Sequence, residues 1–300
     1  MQKIIEKINE LKKKRNAVIL VHNYQRPEVQ DIADFLGDSL DLSRRAAETK
    51  ADTIVFCGVH FMAETAYILN PGKTVLLPDM DSGCPMANMV DAAGLRKLKN
   101  ENPGVPVVCY INTTAEVKAE CDVCCTSANA VKIAGSLKDD KLIFVPDKNL
   151  GQFAASKIKK EVIFWNGYCP VHVGILKEHL LEAKREHPSA EVLAHPECTP
   201  EVTDAADKVL STTGICDYVK QSGSREFIIA TETGILHRLR KENPDKKFYP
   251  ASKPAECPNM KKITLEKVLW SLEDMKNKVT VDEQVRVKAK TCIDRMLEIK

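Results

Sequence analysis

Three cysteines stand directly before a proline: Cys84 in SGCPM, Cys169 in GYCPV and Cys257 in AECPN, at intervals of 85 and 88 residues. With 11 cysteines and 15 prolines in 300 residues, chance supplies roughly half a Cys-Pro pair, so three at a near-constant interval need a cause. Thiolates are soft ligands, and three that meet at one point suit a soft metal. Zinc usually draws on close Cys-x2-Cys pairs and closes at four ligands. A 4Fe-4S cluster held by three cysteines leaves one iron without a protein ligand, and such an iron can act as a Lewis acid. Proline after a ligand cysteine also occurs in ferredoxin cluster motifs. The bland alternative is three small buried hydrophobes in strand-end loops. Burial, however, requires no matching position in each of three segments.

The segments before the Cys-Pro pairs match element by element. Each opens on a short β-branched run (AVILVH, VPVVCY, AEVLAH), passes a polar cluster and a helix-like stretch, and reaches a small-residue turn at Ser39, Ser127 or Ser211. A second apolar run ends in a polar cluster near His60, Asp147 or Thr231, and a third run precedes the cysteine. Short apolar runs separated by helical stretches are the pattern of parallel strands joined by helices. The expected architecture is α/β: three similar units with short parallel sheets, spanning residues 1–85, 86–170 and 171–259. Helix-like stretches in 260–300 should form an outer layer on the first unit. Pro and Gly at Asn102-Pro103-Gly104 and His187-Pro188 mark junctions. In such sheets ligands sit beyond the carboxyl ends of the strands, where every polar cluster named here falls.

Composition narrows the function. A formal charge of +2 from 44 basic and 42 acidic residues leaves no electrostatic footprint for nucleic acid or an anionic membrane. The N-terminal stretch MQKIIEKINELKKKRN is an amphipathic helix rather than a signal peptide, and no apolar run reaches spanning length. A cytoplasmic protein with thiols or metal, not disulfides, is expected. Cys121, Cys124 and Cys125 in ECDVCCTSANA lack a second pair at zinc spacing and read as buried or partly buried thiols. Gly72-Lys73-Thr74 fails as a phosphate loop, because Tyr67 stands where the upstream glycine is needed.

The motifs HNYQ at His22, GDS at Gly37, MAE at Met62, CTSANAV at Cys125, CPVH at Cys169, HPEC at His195, TET at Thr231 and CPNMK at Cys257 together resemble the quinolinate synthase family, in order and over essentially the whole chain. The resemblance implies three pseudo-symmetric, three-layer αβα domains around a central 4Fe-4S cluster held by Cys84, Cys169 and Cys257. It implies condensation of iminoaspartate with dihydroxyacetone phosphate to quinolinate, phosphate and two waters, on the route to NAD, and a transient contact with the enzyme that makes iminoaspartate. Serines at helix starts, Ser39 and Ser127, suit the phosphate oxyanion. The resemblance assigns Tyr110, Asn112, Ser127, His195, Ser211 and Thr212 to the substrate carboxylates, and adds Thr231 to the binding set. Groups able to move protons near neutral pH are His22, His172, His195, Glu197 and Tyr24. By resemblance, Glu197 is an acid/base in the later steps, and Tyr24 with His22 serves the ketose-to-aldose isomerisation. Ser211-Thr212-Thr213-Gly214 departs from the family's usual Ser-Thr-Gly, which leaves open which hydroxyl faces substrate. Two other classes stay in view: an iron-sulfur redox sensor, and a zinc-stabilised sugar-phosphate binding or aldolase-like protein.

Overall fold

A computed structural model describes residues 1–299. Twelve strands form three four-stranded, wholly parallel sheets. The first holds β1 (Ala17–His22), β2 (Phe35–Gly37), β3 (Thr53–Cys57) and β4 (Thr74–Leu76). The second holds β5 (Val107–Tyr110), β6 (Val123–Cys125), β7 (Lys141–Val145) and β8 (Glu161–Phe164). The third holds β9 (Glu191–Ala194), β10 (Lys208–Val209), β11 (Glu226–Ala230) and β12 (Lys247–Pro250). Their orders are β2-β1-β3-β4, β6-β5-β7-β8 and β10-β9-β11-β12, one topology three times. The central strands are apolar and buried on both faces, as parallel strands covered by helices must be. The chain leaves its first strand to one side and returns on the other, so each sheet has a crevice at the carboxyl ends of its two central strands.

The edge strands β2, β6 and β10 escape sequence reading because they span three, three and two residues. An aspartate anchors each of them. Asp34, Asp122 and Asp207 accept the backbone N–H of Ile19, Val107 and Val192 at 2.8, 2.8 and 2.7 Å. Each returns its own N–H to the carbonyl of that same residue. The stretch before each edge strand contains only a four-residue helix, Pro27–Gln30, Ala115–Lys118 or Pro200–Thr203.

A longer helix precedes the first strand of each sheet: Gln2–Lys14, Ala92–Glu101 and Lys177–Glu186. The two junction signals fall between the latter two helices and β5 or β9. The C-terminal helices divide their packing. Leu265–Asp274 lies on the first helix and β3, whereas Glu283–Glu298 packs on β6 and the helix Ala115–Lys118 as well as on the helix His60–Leu69. The outer layer therefore bridges the first two units and is not confined to the first. Its buried residues Ala289, Cys292, Ile293 and Met296 give it the apolar face this seat requires. Among the described residues, no helix is long and apolar enough to cross a membrane.

Candidate active site

The three sheets turn their carboxyl ends toward one cavity of about 160 Å³. His22 ends β1, Tyr110 ends β5, and His195 follows β9; all three line the cavity with Tyr24, Asn112 and Glu197, each two residues further on. The spacing has a local cause. In two units the histidine Nδ1 accepts the backbone N–H two residues later, from Tyr24 to His22 at 3.1 Å and from Glu197 to His195 at 3.4 Å. With Nδ1 accepting, each neutral ring carries its proton on Nε2; that of His195 lies 3.1 Å from Ser127 Oγ. Burial holds His22 and His195 down at about 3, so both rings are neutral donors near pH 7.

Cys84, Cys169 and Cys257 come from three separate units and all line this cavity. The Cys-Pro pair now has a physical reason. Pro85, Pro170 and Pro258 each lead into a short helical turn, where a missing N–H costs nothing. The turn aims backbone N–H groups back at sulfur: Met86 and Ala87 at Cys84, His172 at Cys169, and Asn259 and Met260 at Cys257. Burial pushes the Cys84 thiol up to about 12 and raises those of Cys169 and Cys257, while these N–H groups pull the other way. Three soft donors beside backbone N–H groups that favour the thiolate fit a metal cluster, whose positive charge would hold them as thiolates. Cys169, His172 and Glu197 also bring their ligand atoms within 4.8 Å of one another and could hold a single metal ion.

Around the thiols runs a polar network. Tyr110 donates its hydroxyl proton to Glu197 Oε1. Glu197 Oε2 lies 2.8 Å from His172 Nδ1, which is also 3.1 Å from Cys169 Sγ. Burial alone would raise the Glu197 pKa, but His172, His195 and the Tyr110 hydroxyl lower it, so it is a carboxylate at neutral pH. Burial and the charge of Glu197 hold Tyr24 and Tyr110 protonated well above their ordinary range. On the cavity wall, Asn112 Oδ1 is buried without a hydrogen-bond partner, an acceptor left for a ligand.

Of the remaining expected residues, Ser39, Ser127 and Thr212 line the cavity, whereas Ser211 and Thr231 stand behind it. Ser211 caps the helix Thr212–Gln221, accepting from Gly214 N and donating to Asp38 Oδ2 at 3.0 Å. Thr213 donates to Asp41 at 2.7 Å, which leaves Thr212 as the member of Ser-Thr-Thr that faces the cavity. Thr231 Oγ1 bridges Tyr24 OH at 2.5 Å and His172 Nε2 at 2.8 Å. Sequence reasoning missed two carboxylates on the wall, Asp38 and Glu232, although both sit inside quoted motifs, GDS and TET. Cys124 and Cys125 lie on β6, away from the cavity, with Cys124 Sγ 3.1 Å from Cys292 Sγ.

Three parallel α/β units around one shared cavity, lined by thiols and hydrogen-bonding side chains, define a pseudo-symmetric α/β enzyme that works at the junction of its units. A family model described as "Quinolinate synthetase A protein" matches residues 6–298. Quinolinate synthase 1 of Methanosarcina acetivorans is 57% identical over 99% of this chain and 98% of its own length. The quinolinate synthase of Pelobacter propionicus is 58% identical over the same shares, and that of Thermodesulfovibrio yellowstonii 53% over 100% and 99%. The chain belongs to the quinolinate synthase family, and it is an enzyme of NAD biosynthesis.

Proposed function

We propose that the cavity condenses iminoaspartate with dihydroxyacetone phosphate to quinolinate, phosphate and two waters, with Cys84, Cys169 and Cys257 holding a 4Fe-4S cluster. The observation that carries this reading is the meeting of one Cys-Pro turn from each unit at the cavity that also contains Tyr24, Glu197 and the neutral His22 and His195. When bound, the cluster supplies a Lewis acid for loss of a hydroxyl, because three protein ligands leave one iron free of protein.

The chain's own groups divide the remaining work. Ser39, at the first turn of the helix Ser39–Glu48, offers its hydroxyl and backbone N–H to the phosphate; Ser127, which lies in the turn before the helix Ala130–Ser136 and not at a helix start as the sequence suggested, offers its hydroxyl. Tyr110, Asn112, His195 and Thr212 orient the aspartate-derived carboxylates. Glu197, held as a carboxylate, takes a proton at Oε. Tyr24, held protonated, gives one at its hydroxyl, with the Nε2–H of His22 polarising the neighbouring carbonyl. The reading locates the enzyme in the cytoplasm, whose reducing poise suits eleven free thiols, in transient contact with the enzyme that makes iminoaspartate.

A second reading draws on the proximity of Cys169, His172 and Glu197, a mixed donor set that suits one zinc ion. Anaerobic purification with iron, sulfide and zinc analysis separates the two. A brown protein with about four irons per chain that forms quinolinate from the two substrates supports the cluster; zinc without sulfide overturns it.

A further inference from the structure

Glu232 lies just beyond β11, and Lys261 follows the Cys257-Pro258 turn. Their side chains meet behind the cavity wall, which Glu232 lines. Lys261 Nζ is 2.8 Å from Glu232 Oε1, and the two side chains are 11% and 1% exposed. The same ammonium donates to the backbone carbonyl of Tyr24 at 2.5 Å. Glu232 Oε1 also accepts the backbone N–H of Cys257 at 3.0 Å, and Oε2 accepts that of Gly234 at 2.7 Å. A Cβ on Gly234 would stand 2.6 Å from Lys261 Nζ and 2.8 Å from the Tyr24 carbonyl, so the clamp closes only over bare backbone.

We propose that Glu232 and Lys261 are positioning residues that fix Cys257 and Tyr24 in one frame, so that the third sulfur and the proton-donating hydroxyl keep a set spacing. The inference rests on Cys257 being a cluster ligand, as proposed above. A buried ion pair that serves stability alone has no need of backbone atoms from two functional segments, and as a source of stability such pairs are poor. Here the carboxylate anchors the first residue of the Cys-Pro turn. Without that anchor the turn can tilt, and the Asn259 and Met260 N–H groups that point at sulfur tilt with it. Partners that orient metal ligands are worth about 10- to 100-fold in metal affinity or activity.

Breaking only one side leaves an uncompensated buried charge and can prevent folding. The deciding variant is therefore Glu232→Gln/Lys261→Met, which is neutral on both sides. A purely structural pair predicts that this double variant recovers everything. The clamp predicts that its melting temperature returns close to the parent's while iron is lost to a chelator about 10- to 100-fold faster and kcat falls by at least about tenfold with KM little changed. Iron release, followed by visible absorbance, and kcat both within about twofold of the parent's overturn the proposal. If the double variant does not regain its melting temperature, Lys261→Arg decides: it keeps the charge but displaces the contact with the Tyr24 carbonyl, so kcat falls while iron is retained. Parental kcat in that variant overturns the proposal. A parent chain that carries no iron or sulfide overturns the cluster reading itself, and does so before any substitution is made.

Discussion

His172 holds Glu197 at 2.8 Å through Nδ1, and that contact completes a hydrogen-bonded line across the cavity. From Tyr110 the line runs through Glu197 and His172 to Thr231 and ends on the Tyr24 hydroxyl. The first unit contributes Tyr24, the second Tyr110, and the third the rest. On the proposed assignment, a proton taken up at Glu197 and one given up at Tyr24 would belong to one connected system of buried side chains.

Glu197→Gln tests the acceptor end. The amide keeps the shape and some of the hydrogen bonds but cannot take a proton, and a positioned general base is worth about 10²- to 10⁴-fold. We expect kcat to fall in that range while iron content and substrate binding, measured by quenched-flow turnover and anaerobic titration, stay close to those of the parent. Turnover within a few-fold of the parent would remove Glu197 from the chemistry.

The ligand set is tested by single Cys→Ser changes. A hydroxyl is a hard and weakly acidic donor, so Cys84→Ser, Cys169→Ser and Cys257→Ser should each lose iron and activity. Cys124→Ala should keep both, because Cys124 faces Cys292 in the packing of β6 against the C-terminal helix; its cost should be stability alone. Iron and sulfide analysis of the four variants decides, and loss of the cluster in Cys124→Ala with retention in Cys169→Ser reverses the assignment.

Tyr24→Phe and Thr231→Val probe the donor end together. Phenylalanine preserves the ring's burial and deletes one oxygen, and the lost hydrogen bond should cost only about 1 kcal/mol of stability. Catalysis should fall far more. Thr231→Val leaves the Tyr24 hydroxyl in place but removes its 2.5 Å link through Thr231 toward His172, leaving only the direct 3.4 Å contact, so its kcat should fall too, by less than in Tyr24→Phe. Equal melting temperatures with near-normal turnover in both variants would make Tyr24 a packing residue.

The threefold repeat was legible because parallel strands announce themselves as buried β-branched runs and because a Cys-Pro pair recurs at the same place in every unit. What stayed hidden was either short or distant. The edge strands are too brief to show periodicity, and their marker is a single aspartate whose partner lies 15 residues upstream. Asp38 and Glu232 are small parts of recognisable motifs, but their meaning depends on partners such as Ser211 and Lys261 that only the assembled chain brings near. The environment of His22 and His195 stayed hidden for a related reason. Histidine type suggests a switch near neutral pH, whereas complete burial decides otherwise.

That burial makes a prediction about acid stability. The unfolded chain takes up a proton at each histidine below its ordinary pKa of about 6.5, while folded His22 and His195 refuse one until about pH 3. Because the folded values are depressed, the stability these rings contribute is complete above pH 6.5 and drains away as the pH falls toward 3. The slope is at most about 1.4 kcal/mol per pH unit for each histidine. Glu197, with its pKa also lowered, adds a loss of the same sign, but only below its ordinary pKa of about 4.3. Between pH 7.5 and 5.5 the histidines therefore act alone among these three groups. Chemical unfolding of the parent and of His22→Gln/His195→Gln should show a midpoint that falls with acid in the parent and is flatter in the variant, whose amides keep hydrogen-bonding groups and never charge. Comparing the two proteins at each pH cancels any cluster contribution that they share. Parallel curves over that window would mean that one or both rings already accept a proton in the folded enzyme, and then His22 or His195 would return as a general acid.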